Sequence, residues 1–146
     1  MNSNLYATAE SSAIPQNELE ARALIRTASR LNNIKESWPV DRETLQDALD
    51  LNRKLWTIFV TDVSDAESKL PLEIKQNIFN LGHFVFKHTF SILAKPDPAA
   101  LDILININMN IARGLNEQSA RRLQEAEQKQ EAEQNSPAPV SNDETA

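Results

Sequence analysis

The chain lacks cysteine altogether and has only two glycines among its 146 residues. Without thiols it can form no disulfide, thiolate zinc site or cysteine nucleophile, and this composition is compatible with a reducing compartment. Nucleotide-binding loops of the Walker and dinucleotide types need glycines at fixed spacings, which the sequence does not supply. The scarcity of glycine also disfavours tight hairpins, so we expect helices joined by polar or proline-started links.

Long hydrophobic runs are missing as well. No apolar stretch approaches the roughly 20 residues that a membrane-spanning helix requires. The first residues, MNSNLYATAESS, have neither the basic nor the apolar segment of a signal peptide. We therefore expect a cytoplasmic protein with no membrane span. The formal net charge of −6 repels nucleic acid and anionic membranes overall and favours a basic partner.

Apolar residues recur at helical spacing in several segments, and this spacing predicts an all-α fold. Hydrophobic residues make up 40% of the chain, which is enough for one core. Each segment opens with a proline or an aspartate, both of which suit the first turn of a helix. The predicted helices begin, in chain order, near Pro15, Asp41, Pro71 and Pro98, with Asp97 as a further cap. We predict an antiparallel bundle of about four helices.

The composition also predicts where the bundle begins and ends. Residues 1–14 carry few large apolar groups and no periodicity, so we expect a flexible arm. Residues 15–116 form the predicted helical domain. Residues 117–146 are rich in charge and then in proline, serine and alanine, which predicts an acidic tail that is partly helical and then disordered.

The third predicted helix has an unusually wide apolar arc. One stripe on its helical wheel consists of Ile74, Ile78, Leu81, Val85 and Ile92. A second stripe beside it consists of Leu72, Phe79, Phe86, Phe90 and Leu93. A one-sided surface helix needs only about 100° of apolar arc, whereas the two stripes cover roughly half of the wheel. We predict that this helix is central to the bundle or contacts a partner in addition to its own core.

Five aromatic residues are the candidate partner-binding residues. Phe79, Phe86 and Phe90 would line a groove for an amphipathic helix, with filling of the core as the stronger alternative. Phe84 falls on the polar side of the same helix, where it is either an exposed contact or covered by another segment. Trp56 lies at the centre of the second predicted core stripe, and we expect a core role for it over a contact role.

Two asparagines fall inside apolar stripes. Asn108 lies on the core stripe of the fourth predicted helix, where a buried amide without partners would cost about 1–3 kcal/mol. Asn52 lies on the core stripe of the second. We predict that the two side chains are paired in the core.

The residues that would support catalysis are sparse. His83 and His88 are the only histidines, and a separation of five residues puts them about 140° apart on a helix, so a shared metal is not expected. The acidic residues are scattered over polar faces and the tail, and they offer no candidate carboxylate pair. We therefore predict no catalytic residues, no metal and no cofactor, and a protein that is not an enzyme.

Arg22, Arg26 and Arg30 recur at a spacing of four and form a candidate basic patch on the first predicted helix. Such a stripe can bind the phosphates of a nucleic acid, and it is the one feature that favours an RNA-binding regulator. The stripe is short, lacks a neighbouring aromatic platform and opposes the overall charge. We therefore expect solvated surface and no nucleic acid, and we keep RNA binding as the alternative function.

The order of several sequence segments resembles the FlaF family of flagellar proteins. These segments are ELEARALIRTASRL after Tyr6-Ala7, RKLWTIFVTDV with its Leu55-Trp56, KLPLEIKQNIFNLGHFV, and LDILININMNIARGLNE. The similarity extends from about Tyr6 to Leu115, and it depends on the order and spacing of the segments. No single motif in it is chemically diagnostic, and the acidic extension after Leu115 departs from the family pattern.

The resemblance implies a cytoplasmic protein of flagellated alphaproteobacteria that positively controls flagellin synthesis. It also implies that the protein is a flagellin secretion chaperone and that FlbT acts against it in the same regulatory circuit. It implies no catalytic residues. Flagellin is therefore the expected partner, bound through one of its terminal amphipathic helices. A further alternative is a homo-oligomer in which the second apolar stripe of the third helix packs against the same stripe of another copy.

Overall fold

A computed structural model describes residues 16–135 of the chain. This part of the chain contains α-helices and one short 3₁₀ helix, and no strand. The helices are α1 (Gln16–Glu36), α2 (Arg42–Val63), α3 (Leu72–Ala94) and α4 (Leu101–Asn135), and the 3₁₀ helix is Pro98–Ala100. The all-α fold predicted from the periodicity is confirmed. The predicted arm at residues 1–14 and the end of the predicted tail at residues 136–146 lie outside the described residues.

Aspartates cap two of the helices, as the sequence predicts. At the start of α2, the Asp41 carboxylate accepts a hydrogen bond from the Thr44 backbone N–H at 2.9 Å. Ahead of α4, Asp97 accepts from the Ala99 N–H at 3.0 Å. The helix predicted to begin at Pro98 starts with a single 3₁₀ turn, and the α-helix itself begins at Leu101.

The four helices form an antiparallel bundle. Helix α1 packs along α4, α2 packs along α3, and α1 also contacts α2, whereas α3 and α4 contact each other less than these three pairs do. An ion pair of 2.7 Å between Lys35 Nζ and Asp102 Oδ1 joins the end of α1 to the start of α4. Likewise, Arg42 Nη2 donates to the Leu93 carbonyl at 2.7 Å, which joins the start of α2 to the end of α3.

The core lies between the four inward faces. Its largest fully buried apolar side chains are Leu24, Leu31, Leu45, Leu49, Trp56, Val85, Ile92, Leu101, Leu104 and Leu115. They come from all four helices, and they fall on the stripes that the helical periodicity predicts. Burial of these side chains is the main favourable contribution to folding.

Helix α4 extends well beyond the helices that it packs against. It has 35 residues and is therefore about 52 Å long at 1.5 Å per residue. Ser119 is its last buried residue, and every residue in the range 120–135 is exposed. The first part of the predicted acidic tail is thus helical up to Asn135.

Candidate partner-binding surface on α3

The two apolar stripes predicted on α3 have different environments. The first stripe is turned to the core, where Ile78, Val85 and Ile92 are buried. The second stripe is largely uncovered by the rest of residues 16–135, since Leu72 is 70% exposed, Phe79 44% and Phe90 66%. We call Leu72, Phe79, Phe86 and Phe90 the α3 apolar row.

The apolar row is straight and continuous. Its four residues lie within about 40° of one another around α3, and they extend over about 27 Å along the helix axis. Phe86 is half-buried, packs against the core, and lies between the exposed residues Phe79 and Phe90 along the helix. The His83 and Phe79 rings form a T-shaped pair with a centroid distance of 4.9 Å, which adds a further aromatic group beside the row. The row therefore forms one apolar surface rather than isolated exposed side chains.

The close contact between α2 and α3 explains why α2 leaves the row uncovered. Gly82 lies on the buried face of α3, where a Cβ atom would collide with Val60 and lie 3.7 Å from Trp56. Because α2 packs directly on this glycine, it covers one side of α3 only. The apolar row lies next to that contact on the flank of α3, where Phe86 packs against the edge of the core and the other three side chains are exposed.

Phe84 lies on another side of α3. It is five residues from Phe79 and is therefore rotated from it by about 140°. Its ring stacks on His88 at a centroid distance of 5.4 Å and remains 42% exposed. The His88 Nε2 atom lies 2.8 Å from the Ala100 carbonyl oxygen, so this ring pair is anchored to the 3₁₀ helix. Phe84 is thus a separate exposed aromatic group and not part of the row.

Trp56, the remaining candidate contact residue, is buried. Its side chain has 0% exposure, and its Nε1–H donates to Asn108 Oδ1 at 2.8 Å in the core. The inclusion of Trp56 among partner-binding residues is therefore corrected, because a fully buried indole offers no surface to a partner. The core role expected for this residue is the one observed.

The predicted pairing of the two core asparagines is confirmed. Asn108 Nδ2 donates to Asn52 Oδ1 at 2.8 Å, and both side chains are fully buried. Together with the Trp56 hydrogen bond, this makes a polar triad that links α2 to α4. Among the described residues, Asn52 Nδ2 has no acceptor. The triad orients groups inside the bundle and contributes no surface for binding.

The candidate basic patch lies on the exposed side of α1. Arg22, Arg26 and Arg30 are all exposed, opposite the buried face of the helix. Within residues 16–135 the ion pairs are Lys35–Asp102 and Arg53–Asp50, so neither neutralises this patch. The patch is solvent-exposed, as its spacing predicts.

Sequence reasoning missed a second feature, a cleft with several carboxylates at one end of the bundle. Its walls come from the start of α1, the end of α2, the link to α3 and Arg122 of α4. These segments are far apart in sequence, and no periodicity brings them together. The raised polar content of the link was the only available signal.

Within the described part of the chain, no group of three or more histidines, aspartates or glutamates is arranged to hold a metal ion. None of the helices in residues 16–135 combines the length and the apolar character that crossing a bilayer requires. His83 and His88 each contact a phenylalanine ring of their own helix. They do not share a site.

The described residues thus form a small all-helical protein whose main exposed feature is an apolar row along one helix. The chain belongs to the FlaF family, because the family model described as "Flagellar protein FlaF" matches residues 2–115. Membership of this family makes it a flagellum-related protein and confirms the resemblance seen in the sequence. The comparison with curated proteins gives no match. The comparison with solved structures gives none either.

Proposed function

We propose that this protein binds flagellin in the cytoplasm before export, and that it acts as a secretion chaperone that promotes flagellin synthesis and export. The observation that carries the proposal is the α3 apolar row, which the bundle leaves exposed. Family membership supports a flagellar role. The resemblance to FlaF proteins also implies a functional link to FlbT, to which we assign no surface.

The geometry of the row suits an amphipathic helix as its partner. Leu72, Phe79 and Phe86 follow one another at intervals of seven residues, or about two turns each. A partner helix lying along α3 would bury its own apolar face against these side chains, as in other helix-in-groove complexes. Flagellin is exported unfolded, and its terminal amphipathic segments would aggregate if left bare. Covering one of them would keep flagellin soluble until export.

A charge placed in the row tests the proposal. We expect the double variant Phe79→Asp/Phe90→Asp to reduce flagellin co-purification at least about tenfold, since a carboxylate on a buried contact has to be desolvated. Both side chains are exposed in the free protein, so the variant should remain folded. Co-purification from a motile cell lysate, with circular dichroism as the folding check, measures both effects.

Helix α2 provides the matched control. Leu51 and Ile58 are 44% and 55% exposed, and they are apolar residues of comparable exposure on a different helix. Leu51→Asp/Ile58→Asp should leave flagellin binding unchanged. Equal yields of flagellin with the α3 variant and the native protein would refute the proposal. Phe84→Asp, tested separately, shows whether the contact continues around α3.

Two other outcomes would replace the proposal. If light scattering shows a dimer that becomes a monomer in the α3 variant while flagellin binding is unchanged, the row is an interface between two copies. If flagellin messenger RNA binds the pure protein and is released by replacing Arg22, Arg26 and Arg30 with glutamine, the protein is an RNA-binding regulator. The exposure of these arginines, without an ion pair among the described residues, is what favours this alternative.

A further inference from the structure

The cleft at the end of the bundle has a volume of about 380 Å³. It opens where α1 begins and α2 ends, and the residues between α2 and α3 form one of its walls. The charged side chains that line it are Glu20, Asp62, Asp65, Glu67, Lys69 and Arg122. Carboxylates therefore outnumber basic groups, and the cleft favours a cation.

The basic groups of the cleft do not neutralise its carboxylates. Within residues 16–135 no ion pair involves Glu20 or Asp62. Arg122 Nη2 instead donates to the Lys69 backbone carbonyl at 3.3 Å. One oxygen of the Asp65 carboxylate is already hydrogen-bonded, since Oδ1 accepts from the Glu67 backbone N–H at 3.0 Å. Glu20, Asp62 and Glu67 have no ion pair within residues 16–135, and Glu20 and Asp62 are the two of these whose charges are close enough to affect each other.

The two free carboxylates are close enough to interact. Burial raises the pKa of the Glu20 carboxyl above its ordinary value, the neighbouring Gln16 amide lowers it in part, and the charge of Asp62 raises it further. A cation bound between them would relieve both the burial and the repulsion. The empty cleft therefore has an electrostatic cost that a positively charged ligand removes.

Asn17 supplies the independent observation. Its side chain is only 6% exposed and lines the cleft, and among the described residues its Nδ2 has no acceptor. Buried amide donors are nearly always paired, because leaving one unpaired costs free energy. Because this nitrogen has less than 1 Å² of accessible surface, an acceptor oxygen of a ligand reaches it only after a small movement of the cleft wall, and the hydrogen bond would then satisfy the amide.

We propose that the cleft binds a basic side chain of a partner polypeptide, with its guanidinium or ammonium group between Glu20 and Asp62. A backbone carbonyl of the same partner segment accepts the hydrogen bond from Asn17 Nδ2. This site is separate from the α3 apolar row, and it does not depend on the function proposed above.

The two terminal segments do not supply the basic side chain. Residues 1–15 and 136–146, which are the parts of this chain outside the described structure, contain no lysine or arginine. They cannot provide the basic side chain that the cleft requires. A second copy of this chain could present Arg22, Arg26 or Arg30, and light scattering would reveal that case as dimers that Asp62→Asn dissociates.

A short peptide pair tests the ligand chemistry. The probe is acetyl-Gly-Arg-Gly-amide, and the control is the same peptide with neutral citrulline in place of arginine. In nuclear magnetic resonance titrations up to about 10 mM, which detect millimolar Kd values, the arginine peptide should shift the Asn17 side-chain amide and the Glu20 backbone amide. The citrulline peptide should bind at least about tenfold more weakly. Equal shifts with both peptides, or none with either, overturn the proposal.

Spermidine distinguishes a free amine from a polypeptide. It carries ammonium groups but no carbonyl, so it should perturb Glu20 without shifting the Asn17 side-chain amide as the peptide does. An equal Asn17 shift with spermidine would overturn the assignment to a polypeptide partner.

Two isosteric variants test the carboxylates. Asp62→Asn should weaken binding of the arginine peptide at least about tenfold. Asp47→Asn, an exposed carboxylate on the same helix outside the cleft, should leave it unchanged. Unchanged binding by Asp62→Asn overturns the proposal. The Phe79→Asp/Phe90→Asp variant should keep its affinity for the peptide, so failure of the α3 site and failure of this site are distinguishable.

The melting temperature of a Glu20→Gln variant tests whether burial and the charge of Asp62 destabilise the ionised Glu20 carboxylate. A carboxyl whose pKa is raised in the folded state destabilises the fold when it is ionised, so replacing it should raise the melting temperature at pH 7. The gain should vanish below the ordinary pKa of 4.5, where the carboxyl is protonated in both the folded and unfolded states. A gain that is the same at pH 7 and pH 3 would contradict repulsion and burial as its cause.

Discussion

Replacing Asn108 with alanine is expected to lower the free energy of unfolding by about 3–5 kcal/mol. The change removes the acceptor of the Trp56 Nε1–H and the donor to Asn52 Oδ1, both fully buried. Each buried polar group left unpaired costs about 1–3 kcal/mol, and the lost amide also leaves a cavity. This is a large fraction of the roughly 5–15 kcal/mol that stabilises an ordinary domain.

Denaturant unfolding of the purified protein measures this loss, with Asn106→Ala as the matched control. Asn106 lies two residues away on the same helix and is exposed, so its replacement should change stability by less than about 0.5 kcal/mol. In a double-mutant cycle, Asn52→Ala should cost less in the Asn108→Ala background than alone, because the hydrogen bond between them is already lost. Equal stabilities of the two single α4 variants would show that the triad does not stabilise the fold.

Adding one methyl group to each of the two glycines should change stability in opposite directions. At Gly82 the new Cβ would collide with Val60, a stiff β-branched side chain, and overpacking of this kind costs about 1–3 kcal/mol. At Gly114 no atom of the described residues lies within 4 Å of the new Cβ. There the better helix propensity of alanine should raise the free energy of unfolding by about 0.5–1 kcal/mol.

The same propensity gain applies to Gly82→Ala, so its net loss should be about 0–2.5 kcal/mol, and toward the upper end because the Val60 side chain is stiff. Thermal and denaturant unfolding of both variants give the comparison, with Gly114→Ala as the internal control. Val60→Ala should be less destabilising in the Gly82→Ala background than in the native protein, because the shortened side chain makes room for the new methyl group. A stabilised Gly82→Ala variant would mean that α2 and α3 separate at low cost.

The helical pattern of the sequence was sufficient to predict the fold class and the pairing of Asn52 with Asn108. A helical wheel shows which residues share a buried face, and two amides on core faces need partners. The wheel does not show which atoms of different helices meet. The Trp56 indole was therefore predicted as core, but its hydrogen bond to Asn108 was not predicted.

Exposure was harder to predict than helicity. The first apolar stripe of α3 is aliphatic and the second is rich in phenylalanine, and neither composition shows which stripe the other helices cover. The acidic cleft was not predicted because its walls come from separate segments, and the meeting of Glu20 with Asp62 depends on how α1 crosses the end of α2. Such meetings are properties of the tertiary packing and leave no local pattern.

The unsupported end of α4 should have a different stability from the rest of that helix. Arg122 still donates to the Lys69 carbonyl, but residues 123–135 form between three and four turns with no buried side chain, and isolated helices of this length are marginally stable in water. Amide hydrogen exchange should therefore be slow up to about Leu115, where opening requires unfolding of the bundle, and fast beyond Arg122. Uniform protection along the whole helix would indicate that something else packs on its end.

A single continuous helix would then contain two cooperative units. The residues beyond that boundary should also be preferred points of attack for proteases, because a fraying helix end exposes its backbone far more often than a packed helix does. Limited digestion should remove the last turns of α4 first and leave the bundle as the resistant fragment.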